Sequence, residues 1–242
     1  FITLRYLWRF FKFGGTRYQI YSGIFFGLAL GSKFSAVLLF PIAAILILVC
    51  FWFNKEDSPV SKINKSVKVF LVLAAISSVV VWLIYLMPID PSFYLKGLKT
   101  VYADWSPSYK FYLNGVFSAS GWWYYFLFAF LVKTPIPALA VFAVSLAFYK
   151  KYKTSFKDKL FIFVPLIVFL VATSVKAGNI SIRYLLPVYP FLILYAGGLA
   201  DIFHFRWGSF KNKIWLIAAV ALSGWYMFST LLVYPDYLPY FN

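Results

Sequence analysis

Three basic residues lie within apolar stretches or at their ends, where a charge is costly: Lys33, Lys133 and Arg183. A guanidinium group can bind a phosphate through two parallel hydrogen bonds, and an ammonium group attracts it as a point charge. Placing a lysine inside lipid costs about 3 kcal/mol on insertion scales. The three residues are therefore candidates for contacts to an anionic substrate. Anchoring of helix ends at the membrane surface stays open as the alternative for each of them.

Tyrosines and acidic residues add few further candidates. Tyr124 and Tyr125, in "GWWYYF", can hydrogen-bond to a phosphate or a sugar, whereas an aromatic belt accounts for the neighbouring tryptophans. Asp104 is the one candidate for a general base within the chain, because it has the most polar surroundings of the acidic residues outside the basic loops. We predict no metal site, since His204 is the single histidine and no cluster of His and Cys occurs.

Long apolar stretches must position these side chains. Hydrophobic residues make up 63% of the chain and charged residues 12%, whereas a soluble domain carries about 25% charged residues. Because a spanning helix needs about 20 mostly apolar residues, the sequence predicts an all-α polytopic membrane protein with about seven transmembrane helices. We expect Pro135 and Pro137 to break the fourth span into an interfacial and a spanning helix. The predicted spans are residues 18–31, 34–53, 67–87, 121–149, 160–175, 184–203 and 214–233.

The distribution of charge predicts the orientation. Of the 23 Lys and Arg residues, 16 fall in four clusters between the apolar stretches, and such basic loops stay in the cytoplasm. We therefore expect a cytoplasmic N-terminus and cytoplasmic loops at 54–66, 150–159 and 204–213. Residues 1–242 are expected to form one transmembrane domain, in which 88–120 is an external segment with an amphipathic helix. The net charge of +16 does not indicate nucleic-acid binding, because too little of the sequence is polar.

Four segments, in this order, carry a resemblance to a known family: "GLALGSKFSAVLLFP", "YLNGVFSASGWWYYFLFAFLVKTPIPAL", "RYLLPVYPFLILYAGG" and "YPDYLPYFN". Together they resemble the membrane region of bacterial glycosyltransferase family 39 proteins. These are relatives of the dolichyl-phosphate-mannose protein mannosyltransferases and of the aminoarabinose transferases, within the C-type (GT-C) membrane glycosyltransferases. The resemblance covers nearly the whole chain but only the middle and later part of such proteins. We therefore expect a fragment that lacks an N-terminal portion.

The resemblance implies transfer of a sugar from a polyprenyl-phosphate donor to a protein, lipid or glycan acceptor, outside the cytoplasm at the cell membrane. It also implies that Lys33, Lys133 and Arg183 hold the donor phosphate, where cations would stabilise the charge gained by the leaving group. The catalytic residue of the family is typically an Asp in the first external loop. No acidic residue precedes Glu56, so we expect the base in the missing portion and no activity of this chain alone. A requirement for a divalent metal stays open, and no other cofactor is implied.

Two other classes of function remain. A transporter or flippase of an amphipathic anionic lipid would also use outward cations and kinked helices. Such proteins more often show repeated halves, and only one Pro-interrupted segment occurs here. A structural membrane subunit would use the same cations only as anchors.

Overall fold

The computed structural model describes residues 1–53, 58–86, 92–103, 110–176, 182–202 and 210–234. The predicted α class is confirmed at the level of a mostly helical chain, although one short β-hairpin was not foreseen. The helices are α1 (Ile2–Phe13), α2 (Thr16–Ser32), α3 (Leu39–Trp52), α4 (Pro59–Ile84), α5 (Phe93–Ala103), α6 (Tyr125–Lys133), α7 (Ile136–Ala147), α8 (Phe156–Lys176), α9 (Tyr189–Gly197), α10 (Leu199–Ile202) and α11 (Phe210–Leu232). The strands are β1 (Phe111–Leu113) and β2 (Val116–Ser118), and 3₁₀ helices occupy Phe34–Leu38, Tyr149–Lys151 and Ile182–Val188.

Four helical segments of the described chain are long and apolar enough to cross a membrane: Phe34–Trp52, Pro59–Ile84, Phe156–Val175 and Ile214–Leu232. The pair α6 and α7 makes a fifth if the bent pair counts as one span. Many of the large apolar side chains on these segments are exposed, which suits a lipid surrounding and not water. These segments indicate a membrane protein, and the seven predicted spans are not all found.

Two predicted spans differ from the observed helices for local reasons. The first, 18–31, corresponds to α2, whose 17 residues rise about 26 Å and fall short of a hydrocarbon core of about 30 Å. The sixth, 184–203, is divided between a 3₁₀ helix, α9 and α10. Pro187 lies inside the 3₁₀ helix, where it has no N–H for an α-helical bond, and the glycine pair Gly197–Gly198 separates α9 from α10.

The chain forms two compact units: unit 1 comprises Phe1–Lys110 and Phe156–Val168, and unit 2 comprises Phe111–Ser155 and Phe169–Asn242. In unit 1, α2 and α4 run parallel in close contact. A Cβ atom added at Gly23, Gly27 or Gly31 would lie within 3 Å of the side chain of Ile76, Val80 or Ile84, respectively. Glycine at every fourth position therefore lets the two backbones approach, as in many membrane helix pairs.

Buried polar side chains add hydrogen bonds between the helices of unit 1. The Ser22 hydroxyl of α2 donates to the Thr3 carbonyl of α1 at 2.9 Å. The Gln19 amide donates to the Val69 carbonyl of α4 at 3.4 Å. Because these side chains are buried, each bond satisfies a group that apolar surroundings would otherwise penalise.

The two ends of unit 1 differ in character. At one end, Trp8 of α1 donates through Nε1 to Asp158 Oδ1 at the start of α8 (2.6 Å), and Phe11 contacts Phe51 at the end of α3 (ring centroids 5.3 Å apart). At the other end, Phe34 contacts Tyr94 of α5 (5.4 Å). Residues of two predicted cytoplasmic segments thus meet at one end, beside the end of α3, and α5 lies at the other.

Unit 2 is built from shorter, interrupted elements. The hairpin pairs Tyr112 with Phe117 on its exposed face and Phe111 with Ser118, and its turn residues Asn114 and Gly115 both have positive φ, 48° and 84°. Two successive positive φ angles match the type I′ turn that Asn-Gly favours. The hairpin leads into α6, which packs beside the 3₁₀ helix Ile182–Val188, while α7 contacts α9 and α11.

Candidate functional site

The break between α6 and α7 is the most irregular feature of unit 2. The two helices differ in direction by 115°, which confirms the predicted break at Pro135 and Pro137. Thr134 is extended (ψ 128°) and Pro135 follows with ψ 135°, so α6 ends at Lys133 and α7 begins at Ile136. The residue before a proline is biased away from helical angles, which explains why the helix ends there.

A hydrogen bond fixes this break from the neighbouring element. The Thr134 side chain is 1% exposed, and its Oγ1 lies 2.6 Å from the hydroxyl oxygen of Tyr189 at the start of α9. Phe130, one turn earlier in α6, contacts the Tyr189 ring with centroids 5.7 Å apart. The two contacts hold the C-terminal end of α6 against α9, so the bend is a defined part of unit 2.

Arg183 and Tyr125 lie at the opposite, N-terminal end of α6. The fully buried Phe126 meets the ring of Tyr184 edge to face at 6.2 Å. Arg183 and Tyr125 each immediately precede one member of this pair, and Tyr124 is the N-cap residue of α6. The exposed Arg183 guanidinium lies over the Tyr184 ring, 5.5 Å from its centroid. An exposed cation and two tyrosines are thus grouped at the positive end of a helix dipole.

Lys133 lies at the other end of the same helix. It is half-buried and is the last residue of α6, eight positions after Tyr125, which corresponds to about 12 Å along the axis. A cation in the last turn of a helix interacts favourably with the helix dipole, by about 0.3–1 kcal/mol. Lys133 and Arg183, predicted to hold one phosphate together, therefore lie at opposite ends of α6.

Lys33 belongs to unit 1. It is exposed, ends α2 in an extended conformation (φ −158°, ψ 130°) and precedes the 3₁₀ helix Phe34–Leu38. The next residue, Phe34, contacts Tyr94 and lies against Gly97, where an added Cβ would be 3.0 Å from Phe34 Cζ. Lys33 therefore lies beside α5, the helix found inside the predicted external segment 88–120.

The remaining predicted residues cannot be placed relative to these helix ends. Asp104 and His204 lie outside the described residues. Within the described ranges, no group of three or more His, Cys, Asp or Glu side chains could hold a metal ion. The pair Thr134 and Tyr189 was not foreseen, because 55 positions separate the two residues and no local pattern links them.

Comparison of the chain with protein-family models, with curated proteins and with solved structures finds no match.

Proposed function

We propose that this chain is part of a membrane glycosyltransferase that moves a sugar from a polyprenyl-phosphate donor to an acceptor outside the cytoplasm. The observation that carries the proposal is the grouping of Arg183, Tyr124 and Tyr125 at the N-terminal end of α6. A helix N-terminus and an exposed guanidinium both favour a phosphate, and tyrosine hydroxyls suit its oxygens or a sugar. The four segments that resemble family 39 glycosyltransferases include all three residues.

In the proposed reaction, an acceptor hydroxyl attacks the anomeric carbon of the sugar. The bond from that carbon to the phosphate oxygen breaks, and its electron pair stays on the phosphate. Arg183 would stabilise the charge that the leaving phosphate gains. The acceptor proton passes to a carboxylate, which we expect outside the described residues.

Lys133 and Lys33 have separate roles in this proposal. At the bend, Lys133 would contact a more distant part of the donor, because it lies about 12 Å along the axis of α6 from Tyr125. Lys33 lies in unit 1 beside α5 and would bind the donor independently of unit 2. The proposal thus assigns the phosphate to Arg183 first, and to the two lysines second.

Binding of a short-chain fluorescent polyprenyl-phosphate sugar to the reconstituted chain tests the proposal, because donor binding does not require the catalytic base. Arg183→Gln should raise Kd about tenfold, because a charged hydrogen-bonding group contributes about 1.5–3 kcal/mol. Arg183→Lys should have a Kd between those of the wild type and Arg183→Gln, since it keeps the charge but loses the paired hydrogen bonds. Lys153→Gln removes an exposed cation of unit 2 that lies 30 positions before Arg183 in the sequence, and it should leave Kd unchanged. Wild-type affinity in Arg183→Gln would contradict the proposal.

Whether the labelled donor is cleaved or moved intact distinguishes a glycosyltransferase from a flippase. A glycosyltransferase cleaves the sugar from the labelled donor when acceptor is present. A flippase moves the intact donor between the leaflets of a liposome and leaves the sugar attached. Movement of uncleaved donor would favour the transporter alternative.

We propose seven spans, formed by α2, residues 34–52, α4, the bent pair, α8, residues 182–202 and α11, with the basic loops in the cytoplasm. The parallel course of α2 and α4 supports this order, because α3 must then return between them. Labelling of intact cells tests it in a Cys50→Ser background, since Cys50 is the single cysteine. A membrane-impermeant maleimide should label Phe117→Cys directly and Lys153→Cys only after permeabilisation. Equal labelling of both would rule out this topology.

A further inference from the structure

Helix α1 presents a row of cations on the face opposite its packed side. Thr3, Leu4 and Leu7 are buried against unit 1. Arg5, Arg9 and Lys12 follow one another at spacings of four and three, which places them on one face of a helix. At 100° per residue, the mean direction of this row lies roughly opposite the buried residues. Arg5 and Lys12 are exposed, and Arg9 is half-buried.

Aromatic side chains border this cationic row on both sides. The Lys12 ammonium lies 4.4 Å from the centroid of the Trp8 ring, and the Arg9 guanidinium lies 5.9 Å from that of Tyr6. Rings of this kind with a polar edge concentrate at membrane–water interfaces, and a cationic face with flanking aromatics is typical of interfacial helices. The 12 residues of α1 rise only about 18 Å, too little to cross a bilayer.

Contacts across unit 1 fix where this helix lies. Trp8 bonds to Asp158 at the start of α8, and Phe11 contacts Phe51 at the end of α3 and Phe161 in α8. Helix α1 therefore crosses the ends of two candidate spans. Its cationic face is turned away from its buried residues Thr3, Leu4 and Leu7.

The sequence before α2 contains no acidic residue, so the row carries more positive charge than its described neighbours offset. None occurs before Glu56, and Asp158, which accepts a hydrogen bond from Trp8, supplies one negative charge beside three cations. From this charge complementarity we infer that Arg5, Arg9 and Lys12 bind the headgroups of anionic phospholipids in the surrounding bilayer. Such lipids attract basic residues near the membrane surface, and the attraction weakens with salt. This inference is independent of the proposed glycosyl transfer.

Electron spin resonance of the full chain in nanodiscs tests the inference. Spin-labelled phosphatidylglycerol is compared with spin-labelled phosphatidylcholine, and the fraction of each lipid immobilised by the protein is measured. The wild type should favour the anionic lipid, and Arg5→Gln, Arg9→Gln and Lys12→Gln combined should lower this preference about threefold. Raising salt from about 0.05 M to about 0.5 M should lower the wild-type preference in the same direction.

Two further variants keep the result specific to α1. Arg5→Lys with Arg9→Lys preserves the charge and should retain the preference. Lys150→Gln, Lys151→Gln and Lys153→Gln combined remove three exposed cations of unit 2 and should change it less than the α1 variant does. No preference in the wild type, retention of it after the α1 substitutions, or an equal loss in the control would each overturn the inference. Circular dichroism identifies a variant that has not folded. In that case the lipid preference of the variant with Arg5→Lys and Arg9→Lys is compared with that of the wild type instead.

Discussion

Unit 1 and unit 2 hold their helices together by different means. In unit 1, α2 and α4 are straight and parallel, and three glycines allow their backbones to meet over more than two helical turns. Unit 2 contains instead a bent pair, α6 and α7, held by the hydrogen bond between Thr134 and Tyr189 and by the contact between the Phe130 and Tyr189 rings. Close backbone packing suits a scaffold, whereas a bend leaves helix ends and polar groups next to one another.

This difference explains where the candidate chemistry lies. A continuous helix satisfies its own backbone groups, so the middle of the α2–α4 contact offers little to a ligand. In unit 2, the 3₁₀ helix that carries Arg183 packs beside α6, and Tyr124 and Tyr125 lie at the N-terminal end of α6. The same logic applies to Lys33 in unit 1, which lies where α2 ends and not along its packed face. We therefore expect ligand-binding residues at the ends and interruptions of helices. The packed faces of the helices determine where those ends lie.

The largest effect should follow from filling the α2–α4 contact. In Gly27→Ala, the new Cβ would lie 2.5 Å from Val80 Cβ and 2.8 Å from the Ser77 carbonyl oxygen, and neither atom can rotate away. We expect a loss of about 2–3 kcal/mol in the free energy of unfolding, measured in detergent. Gly31→Ala should lose less, because its nearest neighbour is the flexible Cδ1 of Ile84 at 2.6 Å.

Gly224→Ala in α11 is the matched control, since no atom lies within 4 Å of its added Cβ. It should unfold at the wild-type temperature or slightly above it. Equal stabilities for Gly27→Ala and Gly224→Ala would show that the close approach of α2 and α4 does not stabilise unit 1.

The long apolar helices could be predicted from the sequence, whereas a short helix and a short hairpin were missed. The spans at α3, α4, α8 and α11 were predicted to within a few residues at most ends, because lipid imposes a minimum apolar length. Helix α1 was missed, since its aromatics and cations break the apolar run. Its buried residues at 3, 4 and 7 nevertheless follow helical spacing.

The candidate site was predictable only in part. Arg183 and Tyr125 stood out individually, by charge and by position at a span end. Their grouping depends on the contact between Phe126 and Tyr184, which are 58 positions apart in sequence, and a single sequence carries no local signal for such a pair. The hairpin, in contrast, had a usable signal in Asn114–Gly115, which lies between the apolar residues Phe111–Leu113 and the apolar pair Val116 and Phe117.

An intermediate effect should follow from removing the hydrogen bond at the bend of unit 2. Thr134→Val keeps the shape of the side chain and leaves the Tyr189 hydroxyl without its partner, and Tyr189→Phe does the reverse. Each substitution should cost about 1 kcal/mol of unfolding free energy, a typical value for one buried hydrogen bond. Thermal unfolding of both single variants and of the double variant measures the coupling between them. A double variant that loses the full sum of the single losses would mean that the two hydroxyls do not act as a pair.

The smallest effect on global stability should come from the hairpin, because it is short and its outer face is exposed. Gly115 has φ 84°, a left-handed conformation that costs a side chain about 1 kcal/mol, although its Cβ would meet no atom within 4 Å. Gly115→Ala should therefore raise hydrogen exchange at the amides of β1 and β2 several-fold while the unfolding temperature changes little. Asn114→Gly, at the neighbouring positive φ of 48°, should leave exchange at those amides near the wild-type rate, since glycine accepts this angle without strain. A large fall in the unfolding temperature of Gly115→Ala would mean that the hairpin supports α6 and the Arg183 group, and unit 2 would then depend on its turns as strongly as unit 1 depends on Gly27.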